Sequence, residues 1–158
     1  MIVLKLIQSA GILVYRYNKN NIEVLICKAG GPFYTKNNRC WGIPKGEKEQ
    51  IDKDLSETAL REFTEETNIQ IDKELSLLGT FRVTKVKEAT IFVVEYSDLD
   101  ISNFKSNVFS VEYPKGSKNI REYPENDMIA WINIEEAKDM IFVGQIQILE
   151  ELEEKLKR

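Results

Sequence analysis

The stretch Arg61-Glu62-Phe63-Thr64-Glu65-Glu66-Thr67-Asn68-Ile69 decides how the chain is read. It ends a helix predicted over Leu55–Thr67, which Asn68 stops, since Asn tolerates the left-handed backbone common at helix C-termini. At roughly 100° per residue, Leu55, Ala59 and Phe63 define the buried stripe. Glu66 projects about 20° from Leu55, inside that stripe, and Glu62 lies about 20° beyond its other side. Glu65 sits further out, with Arg61 beside it. A merely solvated acidic face would point away from the core, whereas these carboxylates border it.

Like charges at i,i+4 cost about 0.2–0.5 kcal/mol even when exposed, and partial burial raises that cost. Arg61 serves one carboxylate; the others call for a cation. Clustered carboxylates without His or Cys select a hard ion such as Mg²⁺ or Mn²⁺. Such ions also take phosphate oxygens, so the helix points to phosphoryl chemistry. The competing reading is a charged helix held by Glu57–Arg61 and Arg61–Glu65 pairs alone.

Outward from the helix, Gly11-Ile12-Leu13-Val14-Tyr15, within residues 3–17, and Ile22-Glu23-Val24-Leu25-Ile26 form a β-hairpin around a turn at residues 18–21. A loop at 30–39 leads to a short extended piece at 41–46 and a charged loop at 47–54. Residues 75–86 and 90–96 form a second hairpin. Residues 100–127 read as mostly irregular, 129–132 as a strand, and 135–140 and 145–156 as helices, the last with a stripe at Ile146, Leu149, Leu152 and Leu156. This order predicts one α+β domain over residues 1–158, a mixed sheet with helices on both faces.

The 158 residues carry a net charge of −4, which makes a general nucleic-acid binder a poor reading. The chain has no histidine, so a Ser-His-Asp triad, a Cys-His dyad and His-ligated metal are excluded. Cys27 and Cys40 match no zinc spacing and read as free buried thiols. Residues 1–10 are apolar but short, and Lys5 interrupts them; neither a signal peptide nor a spanning segment is read there. A soluble cytoplasmic protein without membrane contact is the expectation; the sequence sets no oligomeric state.

Gly46 together with residues 61–69 resembles the Nudix box: Gly, five residues, Glu, seven residues, Arg-Glu, an aliphatic or aromatic residue, any residue, Glu-Glu, any residue, Gly, aliphatic. Asn68 stands where the box has Gly. The first half departs: the expected Glu falls on Asp52 counted from Gly46 and on Lys53 counted from Arg61, so the loop is one residue longer. Ser9-Ala10-Gly11, Gly30-Gly31-Pro32-Phe33, Trp41-Gly42-Ile43-Pro44-Lys45-Gly46-Glu47, Ser106-Asn107-Val108-Phe109, Glu122-Tyr123-Pro124-Glu125 and Gly144-Gln145 resemble a bacterial subgroup of predicted nucleotide pyrophosphohydrolases. The Pro-Lys-Gly approach is also similar to diadenosine polyphosphate hydrolases.

The resemblance implies an α/β/α sandwich around a mixed sheet and Mg²⁺- or Mn²⁺-dependent hydrolysis of a nucleoside diphosphate linked to another moiety. It implies that Glu62, Glu65 and Glu66 bind metal, that Arg61 orients a carboxylate, and that Asp52 supplies the missing box carboxylate. Glu125, six residues before Trp131, is implied as a further ligand or as the base. Lys45 would contact phosphate, against a plain exposed lysine. Arg82, Lys85 and Lys87 would form a basic rim, against solvated strand charges. Tyr34 would stack on a base, whereas Phe33 and Tyr113 read as packing residues, and Trp41 and Trp131 as core.

Two functions follow. One is hydrolysis of a phosphate anhydride in a dinucleoside polyphosphate or nucleoside triphosphate, with RNA 5′ ends as a variant. The other is a catalytically weak nucleotide sensor, which the altered box at Asp52-Lys53 motivates.

Overall fold

The computed structural model describes residues 5–34 and 38–158; residues 3–4 of the expected first strand and 35–37 of the loop at 30–39 lie outside the described residues. Strand β1 (Ile7–Asn18) sets the layers. Ala10, Ile12 and Val14 are fully buried in one apolar cluster and Leu13 in another, because successive side chains of a strand point to opposite faces. β1 turns at Lys19 and Asn20, which both have positive φ, and returns as β2 (Asn21–Ala29), antiparallel to it. The hairpin read from the sequence is therefore present.

β2 is flanked by β3 (Trp41–Gly42). β4 (Lys45–Glu47) pairs antiparallel with the start of β1. β5 (Ser76–Arg82) and β6 (Lys87–Glu95) form the second predicted hairpin, and β6 runs parallel to β1. Helix α1 (Leu55–Thr67) lies between β4 and β5 in the chain and packs on β1.

The expectation for residues 100–127 needs correction. They contain β7 (Val108–Glu112) and β8 (Ile120–Pro124), an antiparallel pair forming a separate two-stranded sheet. One face of this pair is solvent-exposed and the other only half-buried, so the apolar alternation that reveals a strand is faint there. β9 (Asn126–Asn133), longer than the expected strand at 129–132, completes the seven-stranded mixed sheet by pairing with β2.

Helix α1 covers one face of that sheet, with Ala59 and Phe63 against Ala10, Ile12, Val14 and Leu25. Helices α2 (Ile134–Met140) and α3 (Ile146–Lys157) cover the other, with Ala137, Ile148, Leu149 and Leu152 against Leu13, Val24 and Ile26. Each large side chain buried this way stabilises the fold by about 1.5–3 kcal/mol. This is the α+β, α/β/α sandwich that the sequence predicts. Trp41 is buried in the cluster under α2 and α3, and Trp131, half-buried, packs against the cluster under α1. Cys27 and Cys40 are buried free thiols. Among the described residues no helix is long and apolar enough to cross a membrane.

Candidate active site

Both ends of α1 are fixed. The Asp54 side chain accepts from Glu57 N at the N-cap, and Asn68, at φ 61°, donates its N–H to Thr64 O. The helix thus holds its glutamates at the angles read from the sequence. Glu66 is buried, the Glu62 side chain is 14% exposed and that of Glu65 46%.

Arg61 joins this face to the preceding loop. Its Nε and Nη2 donate to Asp52 Oδ1 and Oδ2 at 3.0 and 2.9 Å, its Nη1 to Glu62 Oε1 at 2.8 Å, and its Nη2 to Glu47 O at 3.1 Å. Asp52 Oδ2 also accepts from Glu49 N and Thr58 Oγ1, each at 2.9 Å. Asp52, expected from the resemblance as a metal ligand, has both carboxylate oxygens hydrogen-bonded to protein donors here. Its carboxylate is buried with both oxygens taken, and the Arg61 guanidinium, with these other donors, holds it well below the usual carboxylate range. Asp52 positions Arg61, and Arg61 positions Glu62. The extra loop residue is absorbed because Lys53 turns out to solvent while Asp52 turns in.

Gly46 makes room for this arrangement. A Cβ there would stand 2.0 Å from Glu62 Cδ, so any side chain would displace the carboxylate.

Glu66 is the chemically exposed point. Its Oε1 accepts from Asn126 Nδ2 at 3.2 Å, and its Oε2 is buried with no partner at full hydrogen-bond geometry among the described residues, although the Lys45 backbone N–H faces the carboxyl and lowers its proton affinity. Burial, with Glu62 and Glu125 nearby, pushes its carboxyl up to about 8. Burial also raises Glu62, and burial followed by Glu65 raises Glu125. Three carboxyls with shared repulsion are thus grouped where β9, α1 and β4 meet.

The segment before β7 secures that meeting. Asn107 N donates to Glu65 O at 3.0 Å, Glu125 N to Asn107 O at 2.8 Å, and Asn126 N to Ser106 Oγ at 3.0 Å. Asn107 and Asn126 were not singled out from the sequence as site residues. Their only signal there was adjacency, Asn126 to Glu125 and Asn107 to the Ser106-Asn107-Val108-Phe109 stretch.

Two clefts converge on this group. One, of about 450 Å³, is bordered by Lys45, Glu66, Glu125 and the aromatic residues Tyr34, Phe109 and Phe142. The other, of about 470 Å³, runs past Lys45, Glu62, Lys87 and Glu125. Lys45 lies in both, and burial followed by Lys87 lowers its ammonium below the usual lysine range. Tyr34 meets Phe142 edge-on, with ring centroids 5.6 Å apart.

Of the three cations expected to form a basic rim, Lys87 borders a cleft and pairs with Glu47 Oε2 at 3.3 Å. Arg82 and Lys85, expected beside it, border neither cleft. Arg82 instead donates to Lys85 O at 2.6 Å, because the turn after β5 folds the two onto each other.

The donor set suits a hard divalent cation. It consists of carboxylate oxygens, one of them buried and without a full hydrogen bond, with no nitrogen or sulfur competitor. Among the described residues no three acidic side chains form a ready-made cage. Mg²⁺ does not require one, since it is commonly held by one or two carboxylates with substrate phosphates and water completing its shell. Glu62, Glu66 and Glu125 border the clefts, and the Glu65 side chain is exposed.

Comparison with known proteins agrees with this architecture. A family model described as the NUDIX domain matches residues 5–152. No curated protein matches the chain. Among solved structures, the NUDIX domain of Shewanella oneidensis NrtR, complexed with ADP ribose, superposes with a TM-score of 0.66 at 14% identity, covering 96% of this chain and 88% of that one. A C. elegans Ap4A hydrolase in a binary complex gives 0.62 at 21% identity, covering 96% and 98%. The MutT protein from Methanosarcina mazei Go1 gives 0.63 at 19% identity, covering all of both chains. At these identities the structures attest the fold, and the family match extends over nearly the whole chain. The chain belongs to the Nudix domain family, and with it to the hydrolases that act on acid anhydrides.

Proposed function

We propose that the protein hydrolyses a phosphate anhydride bond in a nucleoside polyphosphate, either a dinucleoside polyphosphate or a nucleoside triphosphate, with Mg²⁺ or Mn²⁺ as cofactor. The observation that carries this reading is Glu66, a buried carboxyl with one oxygen lacking a full hydrogen bond, beside Glu62 and Glu125 and at the wall of a cleft that Lys45 shares.

When bound to Glu62 and Glu66, with Glu125 as a further ligand only where it is not the base, the metal ion would neutralise phosphate charge and acidify water. The chain's own residues do the rest. Arg61, clamped by Asp52, fixes Glu62 in one orientation. Asn126 fixes Glu66 through Oε1 and leaves Oε2 without a full hydrogen bond. Lys45, partly desolvated, pairs with phosphate oxygens and stabilises the charge that builds during attack. Glu125 lies at both clefts with its proton affinity raised, which suits it to accept the proton from the attacking water. Tyr34, Phe109 and Phe142 offer apolar faces for the base. A catalytically weak sensor is the second reading, which the altered box motivates; the contact of Asp52 with Arg61 supports the enzyme in that it keeps Glu62 in place.

The test is a panel of diadenosine tetraphosphate, dNTPs, ADP-ribose and 5′-triphosphate RNA, incubated with Mg²⁺ or Mn²⁺ and wild-type protein, Glu65→Gln or Glu66→Gln. Turnover that falls in the variants supports the assignment. Tight nucleotide binding with no turnover of any substrate sinks the enzyme, and equal turnover in the Gln variants sinks the site.

A further inference from the structure

The β7–β8 pair is an arm whose two faces differ in charge. Its register sets Phe109 opposite Tyr123 and Val111 opposite Arg121, with Tyr113 N donating to Asn119 O beyond them. Because residues directly opposite share a face, Phe109, Val111, Tyr113, Tyr123, Arg121 and Asn119 form one row. This row turns toward the cleft: Phe109 borders the cleft, and the Tyr113 ring meets Phe33 edge-on at 5.9 Å. The opposite row carries Ser110, Glu112, Ile120 and Glu122 and is exposed throughout.

A hairpin that needed charge only for solubility would carry its cation on the wet face. Here both acids lie outward and the arginine inward. Arg121 has no carboxylate partner among the described residues; with its amide oxygen turned toward Arg121, Asn119 accepts from Nε and Nη2 at 3.2 Å. The turn beyond adds Lys115 and Lys118, so residues 113–121 hold three cations in a chain of net charge −4, and the Glu112 carboxylate caps that turn by accepting from Gly116 N. Next to these cations stand two exposed rings, Phe33 at 57% and Tyr113 at 43%. Phe33 also borders the cleft, so the aromatic surface runs without a gap from the carboxylates to the arm.

We infer that the inward face of the arm is a distal subsite, taking the far end of an extended polyphosphate that carries a second base. The Phe33–Tyr113 pair supplies the stacking surface, and Arg121, flanked by the turn lysines, pairs with the phosphates leading to it. Charge alone would suit any polyanion, and rings alone any apolar group; their adjacency selects a base joined to phosphate. The inference rests on the proposed hydrolysis of nucleoside polyphosphates and names the dinucleoside class within it.

The experiment measures binding and turnover separately. By calorimetry, the wild type, Tyr113→Ala and Arg121→Gln are each titrated with a methylene-bridged diadenosine tetraphosphate, a methylene-bridged ATP and a 5′-triphosphorylated dinucleotide. Each variant should bind the two-base tetraphosphate about tenfold more weakly and methylene-bridged ATP within about twofold of wild type. Both side chains are exposed, so unchanged melting temperatures are expected in both variants. Equal losses on the two ligands, no loss on either, failure of the wild type to bind the tetraphosphate, or a loss confined to the dinucleotide would each overturn the subsite. Hydrolysis of diadenosine tetraphosphate by the wild type is followed in parallel. Discriminating binding without turnover would overturn the hydrolase reading alone, and turnover with undiscriminating binding would overturn the subsite alone.

Discussion

Helix α1 and the β7–β8 arm both border the cleft at Glu66 and are held in opposite ways. The helix sets Ala59 and Phe63, both fully buried, into the sheet, is capped at both ends, and is tied to its leading loop through Arg61. In the arm no residue of either strand is buried. Its anchors are Phe109, seated beside Gly31 and 6.1 Å from the Tyr123 ring, and Pro124, seated beside Gly30. A two-stranded pair is marginal on its own. The difference follows from the two tasks. Groups that must meet reacting atoms lose about 10²-fold in rate when misplaced by an ångström, so they stand on the rigid element. Groups that choose among substrates tolerate a part of low local stability.

The largest effect should come from Glu66→Gln, which retains the Asn126 contact and removes the charge. Activity should fall by about 10²–10³-fold. Stability should move the other way in metal-free protein. Burial pushes the folded-state carboxyl up to about 8, from an ordinary value of about 4.5. Between those values the native state holds a proton that the unfolded chain has released. The wild type therefore loses stability as pH rises from about 4.5 to about 8, by a few kcal/mol. The Gln variant should lack this decline, which melting curves in chelator across that range would show. Parallel curves for the two proteins would mean that Glu66 is not held in a desolvating environment.

Asp52→Asn tests the rigidity from the loop side. The carboxylate of Asp52 is depressed in the folded state, so its contribution is present above its unfolded value and is lost as pH falls through its folded one. The variant should have a lower urea midpoint at neutral pH and a shallower decline in acid. With Arg61 loosened on Glu62, metal affinity should weaken about 10–100-fold. A lowered midpoint with unchanged metal titration would confine Asp52 to the fold.

These two residues also show what could be read in advance. Glu66 was legible because helical periodicity places a side chain by angle alone, and the angle put it in the apolar stripe where the structure has it. Asp52 was found by spacing, but spacing cannot say whether a carboxylate turns to a cation or to a guanidinium. Asn126 and Asn107 carry no periodic or charge signal; their roles come from a bond to Glu66 sixty residues away and from backbone bonds between β7, β9 and α1. The arm escaped reading for the same reason that it is weakly held: exposed strands lack the apolar alternation by which strands are recognised.

The smallest effect, and the most direct on the comparison, is expected from Gly31→Ala. Gly31 has φ 87°, and a Cβ there would meet Phe109 Cζ at 2.7 Å. The backbone strain alone costs about 1–2 kcal/mol, and the Phe109 ring must shift. If the arm is a separate local unit, this cost is met by undocking it. Amides of β7 and β8 should then exchange faster while those of α1 keep their protection, and KM should rise a few-fold with kcat nearly unchanged. Lys105 and Asn107 complicate that outcome, because their N–H groups bond Thr67 O and Glu65 O at the end of α1. If α1 amides lose protection together with the arm, those two bonds make helix and arm one cooperative unit. The carboxylates and the distal face would then be set by a single equilibrium, and kcat would fall as KM rises.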